Sequence, residues 1–388
     1  MAQTSASNGH NGVLTSTRKA DHLRINLEED VTAKGVGAGF DAYRFMHCAL
    51  PEINLADVST STEVLGWHLA SPLFISCMTG GTESAQRINL VLAETAQELG
   101  IALGLGSGRV LLERPEALPT FAVRDIAPGV PLLANLGAVQ LNLGVTPADC
   151  ARLVEMLGAD ALVLHLNALQ EALQPEGDTC FAGLLARIET TAAQLDVPVV
   201  VKEVGWGISA DLVTTLLEAG VAAVDVAGAG GTSWSEVERH RLGGPAARTA
   251  GAFAGWGIPT AVALTQARAA APNGVIFASG GVRGGLDVGI AAALGADLVG
   301  VAGPFLRAAS AGTQACVDLG REWVDVLRIA MFCTGSPDLA TLRSCARLVR
   351  DDGAPVPGAP DGVTLVTSLI ETISDLRGTQ VTRAAARG

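Results

Sequence analysis

The sequence predicts an α/β fold in which eight parallel strands close into a (β/α)8 barrel, also called a TIM barrel. Eight short apolar segments occur along the chain, and most of them are separated by a stretch with helical periodicity. Gly100, Gly158, Gly220 and Gly295 each end such a helical stretch, and a strand follows almost at once. Alternating strands and helices with near-continuous apolar strands indicate a parallel sheet that is covered on both faces.

The predicted strands are rich in β-branched and aliphatic residues. They are Pro72–Ser76, Ile101–Leu105, Pro131–Asn135, Ala161–Leu166, Pro198–Lys202, Ala222–Val226, Val275–Ser279 and Leu298–Ala302. Eight strands of this kind favour closure into a barrel, and an open doubly wound sheet is the competing arrangement.

The predicted helices carry the stripes and caps that packing on a sheet requires. In Ser84–Leu99 the apolar residues Ile88, Leu92 and Leu99 lie on one stripe. Thr146-Pro147-Ala148-Asp149 is a favourable helix start, with a hydroxyl cap, a proline in the first turn and an acid three residues later.

The predicted barrel unit, residues 18–350, lies between two terminal segments. We interpret residues 1–17 as a polar, disordered leader and residues 351–388 as a tail with a terminal helix at Val363–Leu376. Within the barrel unit, Arg18–Ala70 precedes the first strand and is predicted to form an N-terminal arm with a small hairpin.

Composition excludes several classes of function. The formal net charge of −13 disfavours nucleic acid or an anionic membrane as a partner, although a local cluster of donors can still bind a small anion. Seven cysteines without a CxxC motif favour neither a disulfide framework nor a zinc site. No apolar run reaches the roughly 18 residues of a membrane span, and the start lacks a signal pattern, so we expect a cytoplasmic protein.

The fourth predicted strand ends in a cluster of polar residues. His165 and Asn167 point to the same face because strand side chains alternate, and Gln170 and Glu171 follow. In a barrel of this kind, chemistry gathers where strands end and the next loops begin. A lone histidine on an apolar strand is more often a core residue, but four polar residues within seven positions indicate a functional site.

Other strand ends carry groups suited to an anionic cofactor. Lys202 follows three valines, and an ammonium there is costly unless it meets an anion or an electron-rich ring; a solvated lysine is the alternative. Glycine-rich loops Ala227–Thr232, Gly280–Arg283 and Ala302-Gly303 follow the last three strands and let backbone N–H groups approach a phosphate. Together these neighbouring loops predict a cofactor anchored by its phosphate.

Two clusters of cations remain, at Arg18-Lys19 with His22 and at Ser107-Gly108-Arg109. A charge run near a terminus is usually a solvated surface, so alone it indicates little. A family resemblance gives these clusters more weight. It is carried by the arm residues Arg18, Lys19 and His22 and by the motifs Ala49–Ile53, Met78–Gly81, Gly104–Arg109, Ala134–Gly137, His165–Glu171, Gln174–Asp178, Val201–Gly205, Gly228–Trp234 and Ala278–Arg283.

Through these motifs, residues from about 18 to about 348 resemble the type II isopentenyl-diphosphate isomerases, which are FMN-dependent (β/α)8 barrels. His165–Glu171 followed by Gln174–Asp178 is highly specific, whereas the glycine loops are shared with many FMN barrels. One departure is Gly108, where the family usually has glutamine. This change leaves Arg109 in place and raises the question of loop stiffness and of a lost polar contact.

The resemblance implies a residue set for each ligand. FMN is expected on Met78, Thr79, Gly80, Ser107, Asn135, Lys202, Thr232, Gly280, Gly281, Arg283, Ala302 and Gly303, and Mg2+ on Glu171. The implied catalytic residues are His165, Asn167 and Gln170. The implied substrate contacts are Arg18, Lys19, His22, Ser107, Arg109 and Gln170. His165 and Asn167 are also expected to contact the diphosphate.

The implied activity is interconversion of isopentenyl and dimethylallyl diphosphate without net redox change. Reduced FMN is expected to act as acid and base at N5, with NADPH only as its reductant, Mg2+ on the diphosphate, and Lys202 stabilising the reduced ring. A homo-oligomer, a tetramer or octamer, is also implied, and in one arrangement the arm completes a neighbour's site.

Three rival functions use the same scaffold. A hydroxy-acid oxidase needs a histidine base and paired arginines near the seventh strand, where this chain has Gly280–Arg283 without histidine. An inosine-monophosphate dehydrogenase needs a cysteine in the sixth loop, which here reads Gly228–Trp234 and contains none. A non-catalytic FMN carrier would not require the polar cluster at His165–Glu171.

Overall fold

The computed structural model describes residues 18–19, 21–345, 347–352 and 356 of the chain. The predicted leader and the predicted terminal helix lie outside these residues, so their boundaries stay predictions. Three short strands precede the barrel and one follows it: β1 Tyr43–Phe45, β2 Thr62–Val64, β3 Trp67–Leu69 and β12 Leu348–Arg350.

Eight parallel strands form the centre of the protein. They are β4 Leu73–Ile75, β5 Ala102–Gly104, β6 Leu132–Gly137, β7 Ala161–His165, β8 Val199–Lys202, β9 Ala223–Asp225, β10 Ile276–Ser279 and β11 Leu298–Val301. They close in the order β10-β11-β4-β5-β6-β7-β8-β9. The predicted (β/α)8 barrel is therefore confirmed, with each strand inside or within two residues of its predicted span.

Helices cover the outside of the barrel. The α-helices are Glu83–Leu99, Arg109–Glu113, Pro147–Leu157, Ala168–Leu173, Leu184–Gln194, Ala210–Glu218, Trp234–Arg241, Gly244–Gly251, Thr260–Ala270, Gly285–Ala293, Gly303–Ala311, Thr313–Thr334 and Leu339–Ser344. Residues 18–19 and 21–28 are also helical, and short 3-10 turns occupy Phe40–Ala42, Leu55–Asp57, Pro115–Thr120 and Ala138–Leu143. Among the described residues no helix combines the length and the apolar character needed to cross a membrane.

The predicted helix ends are present. The Thr146 side chain accepts the Asp149 N–H while Asp149 accepts the Thr146 N–H, which completes a capping box. Gly100, Gly158 and Gly295 have φ values of 63°, 57° and 106°, in the region that glycine adopts without strain. These residues turn the chain sharply from each helix into the next strand.

The core has two layers. Side chains that point into the barrel, such as Phe74, Leu133 and Phe277, form one buried cluster, and the interface between strands and helices forms a larger one. Val64 and Leu69 of the predicted hairpin, β2–β3, belong to the inner cluster, together with the first residues of several strands. The hairpin therefore closes the amino-terminal end of the barrel, which leaves the opposite end open.

One pairing within the predicted arm was not expected from the sequence. β1 pairs antiparallel with β12, so that Tyr43 lies opposite Arg350 and Phe45 opposite Leu348. The N-terminal arm is thus joined to the last described strand beside the barrel.

Partly buried ion pairs link the amino-terminal ends of neighbouring strands. Asp297 accepts hydrogen bonds from Arg268 Nη2 at 2.7 Å and from the backbone N–H of Ile276 at 2.8 Å. Asp160 makes the equivalent contacts with Arg124 and with the first N–H of β6. In both cases an aspartate just before one strand binds an arginine and the first N–H of the neighbouring strand. This arrangement joins β6 to β7 and β10 to β11, two strand pairs that lie four strands apart in the barrel.

We expect Asp297→Ala to lower the free energy of unfolding by about 2 kcal/mol, because it removes the carboxylate partner of Arg268 and leaves the Ile276 N–H without its acceptor. Chemical denaturation followed by circular dichroism measures the change. Asp325→Ala is the matched control, since Asp325 pairs with Arg328 at 3.5 Å on an exposed helix face, and its loss should stay within about 0.5 kcal/mol. Equal losses in the two variants would contradict a structural role for the partly buried Arg268–Asp297 pair.

Candidate active site

A cavity of about 340 Å3 opens at the carboxyl-terminal mouth of the barrel. Loops after all eight barrel strands contribute to its wall, and the N-terminal arm covers part of it. The residues predicted for the site all line it: Arg18, Lys19, His22, Met78, Thr79, Gly80, Ser107, Arg109, Asn135, His165, Asn167, Gln170, Glu171, Lys202, Thr232, Gly280, Gly281, Arg283, Ala302 and Gly303.

Two glycine loops pack directly on each other at one side of the cavity. A Cβ atom at Gly231 would lie 2.5 Å from the Gly281 nitrogen, and one at Gly281 would lie 2.7 Å from the Gly230 carbonyl carbon. Gly280 and Gly281 also have φ values of 102° and 75°. Side chains would both strain these turns and separate the loops, so glycine is required for this wall of exposed backbone.

The start of each glycine loop is held by a buried hydrogen bond. The Asp225 carboxylate at the end of β9 accepts the Ser279 hydroxyl at 2.8 Å and the N–H groups of Ser279 and Ala227. The Thr260 hydroxyl donates to the Gly280 carbonyl at 2.6 Å. Burial raises the pKa of Asp225, while Lys202 and these donors oppose that shift.

Lys202 places a buried cation on the cavity wall at the end of β8. Only 8% of the residue is exposed, and its Nζ donates to the Glu203 carbonyl at 2.5 Å. The Glu203 carboxylate turns away and accepts the N–H groups of Val204, Gly205 and Trp206. Burial raises the pKa of Glu203 to about 7, against the lowering by these three donors and by Lys202.

His165 is neutral at physiological pH in this environment. Burial lowers its pKa to about 3, with the positive charges of Lys202 and Lys19 adding to the effect. Its Nδ1 lies 2.7 Å from Asn135 Oδ1, and Asn135 also donates toward the Cys77 thiol. Because this amide orientation makes Asn135 Oδ1 the acceptor, His165 carries its proton on Nδ1 and has a lone pair on Nε2.

Asn167 and Glu171 present oxygen atoms to the cavity. Asn167 Nδ2 donates to Glu171 Oε1 at 2.8 Å and to Gln170 Oε1 at 3.1 Å. The second Glu171 oxygen accepts the Asp178 N–H at 2.8 Å. The buried Asn167 Oδ1 has no hydrogen-bond partner within the described part of the chain, which is the state expected of an atom that meets a ligand.

The arm packs on its own barrel and supplies cations to the cavity. Lys19 Nζ donates to the Ser107 carbonyl at 3.1 Å and lies 5.7 Å from the centre of the Phe121 ring. Burial, together with the neighbouring positive charges of Arg18 and Arg114, lowers the pKa of Lys19 to about 8. The positive charge of the arm therefore depends on pH in the neutral to alkaline range.

A buried carboxylate fastens the arm. His22 Nε2 lies 2.8 Å from Glu238 Oε1, to which Gln174 also donates at 2.7 Å, and Arg18 donates to Gln174 at 3.0 Å. Burial alone would raise the pKa of Glu238, but His22 and Arg241 together hold it below its usual range. The resulting carboxylate is one of the points at which the arm is joined to the barrel.

Arg109 is fixed between two acidic residues at the cavity rim. Its Nη1 donates to Asp178 at 2.7 Å and its Nε to Glu113 at 3.0 Å. Gly108 precedes it, and a Cβ at Gly108 would point into the core, 2.7 Å from Leu153 Cδ1. Gly108, where the chain departs from the family pattern, is therefore buried against the helix Pro147–Leu157, and Arg109 still lines the cavity.

The residues present fit FMN. The glycine wall offers backbone N–H groups for a phosphate, and the buried Lys202 offers the cation that an electron-rich ring favours.

The oxygen set also fits Mg2+. Its one carboxylate is Glu171, and the buried, unpartnered Asn167 Oδ1 lies in the same group. No cluster of three or more His, Cys, Asp or Glu suited to a metal occurs among the described residues. Magnesium is commonly bound by one or two carboxylates together with substrate phosphates.

Several residues at the site were not assigned from the sequence. Glu238 and Trp234 lie on a helix whose polar composition gives no sign that its first half is buried. Gln174 and Asp178 belong to a motif that was recognised, but their contacts depend on tertiary packing. Cys77 also lines the cavity, and burial raises the pKa of its thiol.

Comparison with known proteins gives two kinds of similarity. Residues 166–348 match the FMN-dependent dehydrogenase family. An isopentenyl-diphosphate delta-isomerase from Synechococcus sp. is 56% identical over 327 residues, covering 84% of this chain and 94% of the relative. Its counterpart from Nostoc sp. is 49% identical over 337 residues, covering 87% and 96%.

Solved structures with the same fold are more distant in sequence. An active chimera of (S)-mandelate dehydrogenase has a TM-score of 0.60 at 18% identity and covers 89% of this chain and 99% of its own. A mandelate oxidase mutant with 2-hydroxy-phenylacetamide has a TM-score of 0.59 at 20% identity, with coverages of 90% and 99%. At this identity the likeness shows the fold alone.

We expect Gly108→Gln to cost stability and to leave the cavity intact, because its side chain would press on the buried Leu153. Overpacking of this kind costs about 1–3 kcal/mol. Thermal unfolding and FMN titration by fluorescence measure the two effects separately. A second change, Leu153→Ala, should recover part of the loss in the Gly108→Gln background. Weakened FMN binding at unchanged stability would show instead that the position faces the cofactor.

Proposed function

The chain belongs to the isopentenyl-diphosphate delta-isomerase family, and we propose that it interconverts isopentenyl and dimethylallyl diphosphate in the cavity at the barrel mouth. It is thus an isomerase that moves a carbon–carbon double bond within one molecule. The observation that supports this site is the meeting, in one cavity, of a phosphate-accepting glycine wall with a second, separate group of cations at Arg18, Lys19 and Arg109. Two anionic ligands can therefore be held side by side.

FMN belongs on the glycine wall, with Lys202 beside its ring. When bound and reduced, FMN supplies the acid and base at N5, and NADPH serves only to reduce it. Lys202 has a fixed direction because its ammonium is held by the Glu203 carbonyl. A buried ammonium in that place favours the more negative, reduced ring.

The arm and Arg109 bind the diphosphate. Arg18, Lys19 and Arg109 bring three cationic side chains to one side of the cavity, which offsets the net charge of −13 locally. Glu171, on the helix Ala168–Leu173 that follows β7, would hold Mg2+, which would neutralise further negative charge of the diphosphate. Holding the diphosphate in one orientation places the hydrocarbon part of the substrate for proton transfer.

His165, Asn167 and Gln170 complete the substrate side. The neutral His165 carries an acceptor at Nε2, so it can take up a proton when a phosphate oxygen arrives. Asn167 holds Glu171 and Gln170 through its amide nitrogen. We assign Gln170, which is 9% exposed, to the contact with the carbon skeleton.

The hydroxy-acid oxidase alternative lacks a base in the required place. Gly280–Arg283 follows β10 without a histidine, and the histidines that line the cavity among the described residues are His22 on the arm and His165 at the end of β7. The mandelate enzymes thus share the scaffold, and no feature of this cavity favours their reaction.

The remaining proposals concern the setting of the enzyme. We propose a role in isoprenoid biosynthesis and a cytoplasmic location, with all seven cysteines present as free thiols. Exposed apolar side chains, including Leu50 and Trp256, support a homo-oligomer. Because the arm covers the cavity of its own chain, the site does not need a neighbour's arm.

Anaerobic turnover tests the function. FMN-loaded protein is incubated with isopentenyl diphosphate, Mg2+ and an amount of NADPH far below that of the substrate, and the products are separated. We expect dimethylallyl diphosphate in many-fold excess over NADPH, since no electrons are consumed. Product limited to one equivalent of NADPH, or no product from a fully reduced flavin, would overturn the proposal.

The fall of kcat/KM at alkaline pH (the alkaline limb) should reflect the loss of the positive charge of Lys19. Because burial places its pKa at about 8 in the substrate-free protein, Lys19 is charged below that pH and loses its charge as the pH rises. We expect kcat/KM to fall above about pH 8, approaching tenfold per pH unit. Lys19→Arg keeps the charge at high pH and should flatten the limb. An unchanged limb in Lys19→Arg would assign it to another group.

A further inference from the structure

Asp178 contacts two parts of the site without lining the cavity. It closes the loop that follows helix Ala168–Leu173, and its side chain is 26% exposed. The family resemblance gives it no role, and the reaction described above does not use it. Its side chain and its main chain nevertheless bind different functional residues.

The side chain of Asp178 orients a substrate-binding cation. Asp178 Oδ2 accepts from Arg109 Nη1 at 2.7 Å and from Gln140 Nε2 at 3.1 Å. Glu113 holds the Nε–H of the same guanidinium. A guanidinium has five N–H donors in a rigid plane. Two carboxylates therefore fix the plane of Arg109, and its Nη2 has no hydrogen-bond partner among the described residues, so this nitrogen can donate to a diphosphate.

The main chain of Asp178 orients the proposed metal ligand. Its N–H donates to Glu171 Oε2 at 2.8 Å, while Asn167 Nδ2 donates to the other oxygen at 2.8 Å. Gly177 allows the loop to fold this closely, because a Cβ there would lie 1.8 Å from the Glu171 carbonyl oxygen. The Glu171 carboxylate is thus held from both sides.

We propose that Asp178 is a positioning residue that couples the diphosphate-binding Arg109 to the magnesium-binding Glu171. This inference rests on the proposed function. Its side-chain bonds to Arg109 and Gln140 hold the loop in place, and the loop in turn holds its N–H against Glu171. Outer residues of this kind set the direction of the groups that touch ligand, and their loss typically weakens metal binding or activity by about 10- to 100-fold.

Substrate binding without turnover provides the test. Isopentenyl diphosphate is titrated calorimetrically into oxidised, FMN-loaded protein in the absence of reductant, at a series of Mg2+ concentrations. We expect Asp178→Ala to weaken binding about tenfold and to raise the Mg2+ concentration needed for half-maximal affinity. FMN affinity should stay within about twofold, because no contact of Asp178 reaches the glycine wall.

Glu113→Gln is the matched control, since it removes the other carboxylate on Arg109 and has no contact with Glu171. It should weaken substrate binding by less than about threefold and leave the Mg2+ dependence unchanged. Glu171→Gln should abolish the Mg2+ dependence of substrate binding, so it gives the largest change that loss of the metal ligand can cause. Asp178→Asn keeps the side-chain volume and one hydrogen-bond acceptor, so its substrate affinity should lie between those of wild type and Asp178→Ala. It serves as a second variant if the alanine change impairs folding.

The outcomes separate this inference from the proposed function. If the wild-type protein fails to bind isopentenyl diphosphate, the function itself is wrong. If wild type binds and the Asp178 variants match Glu113→Gln, with unchanged Mg2+ dependence, the coupling role is wrong. A parallel fall in FMN affinity and substrate affinity would show a general structural role and would also overturn it.

Discussion

The closure of eight parallel strands brings every strand's carboxyl end to one rim, and the site depends on this arrangement. Met78, Ser107, Asn135, His165 and Lys202 each lie close to the carboxyl end of a strand or just beyond it, although they are far apart in sequence. The hairpin β2–β3 closes the other end with apolar side chains. The barrel thus has one polar, open mouth and one closed, apolar base.

Backbone geometry and charge divide that mouth into two halves. On one side, glycines after β9 and β10 approach so closely that side chains are excluded, and backbone N–H groups form the surface. On the other side, the arm brings Arg18 and Lys19 toward Arg109, held by the buried Glu238. An acidic protein can bind anions here because burial strengthens local charges more than distant ones. The low pKa of His165 and the lowered pKa of Lys19 follow first from burial and second from the neighbouring cations.

Local patterns in the sequence were sufficient to predict the barrel. Helical stretches that end at Gly100, Gly158 or Gly295 predict that a strand follows, and Thr146 with Asp149 predicts a helix start. These signals can be recognised in the sequence because they depend on neighbouring residues alone. The strand-end polar residues also predicted the position of the cavity wall, since parallel strands share one rim. Their roles rest on the family resemblance and on the tests proposed above.

Contacts between distant segments were not predictable in this way. The pairing of β1 with β12 joins the N-terminal arm to the last described strand, and neither strand has a sequence pattern that identifies its partner. Glu238 lies in a helix of mostly polar residues, so its burial beneath His22 follows only from packing. Asp178 was visible as part of a motif, but its link between Arg109 and Glu171 requires three-dimensional geometry.

A crystal structure of the protein with FMN, Mg2+ and isopentenyl diphosphate tests the central claim most directly. We predict the FMN phosphate on the glycine wall at Gly281 and Gly303, and Lys202 beside the ring. The diphosphate should lie against Arg18, Lys19 and Arg109 of the same chain, with Mg2+ on Glu171. Diphosphate bound elsewhere, or completed by the arm of a neighbouring chain, would contradict a site that each barrel builds from its own residues.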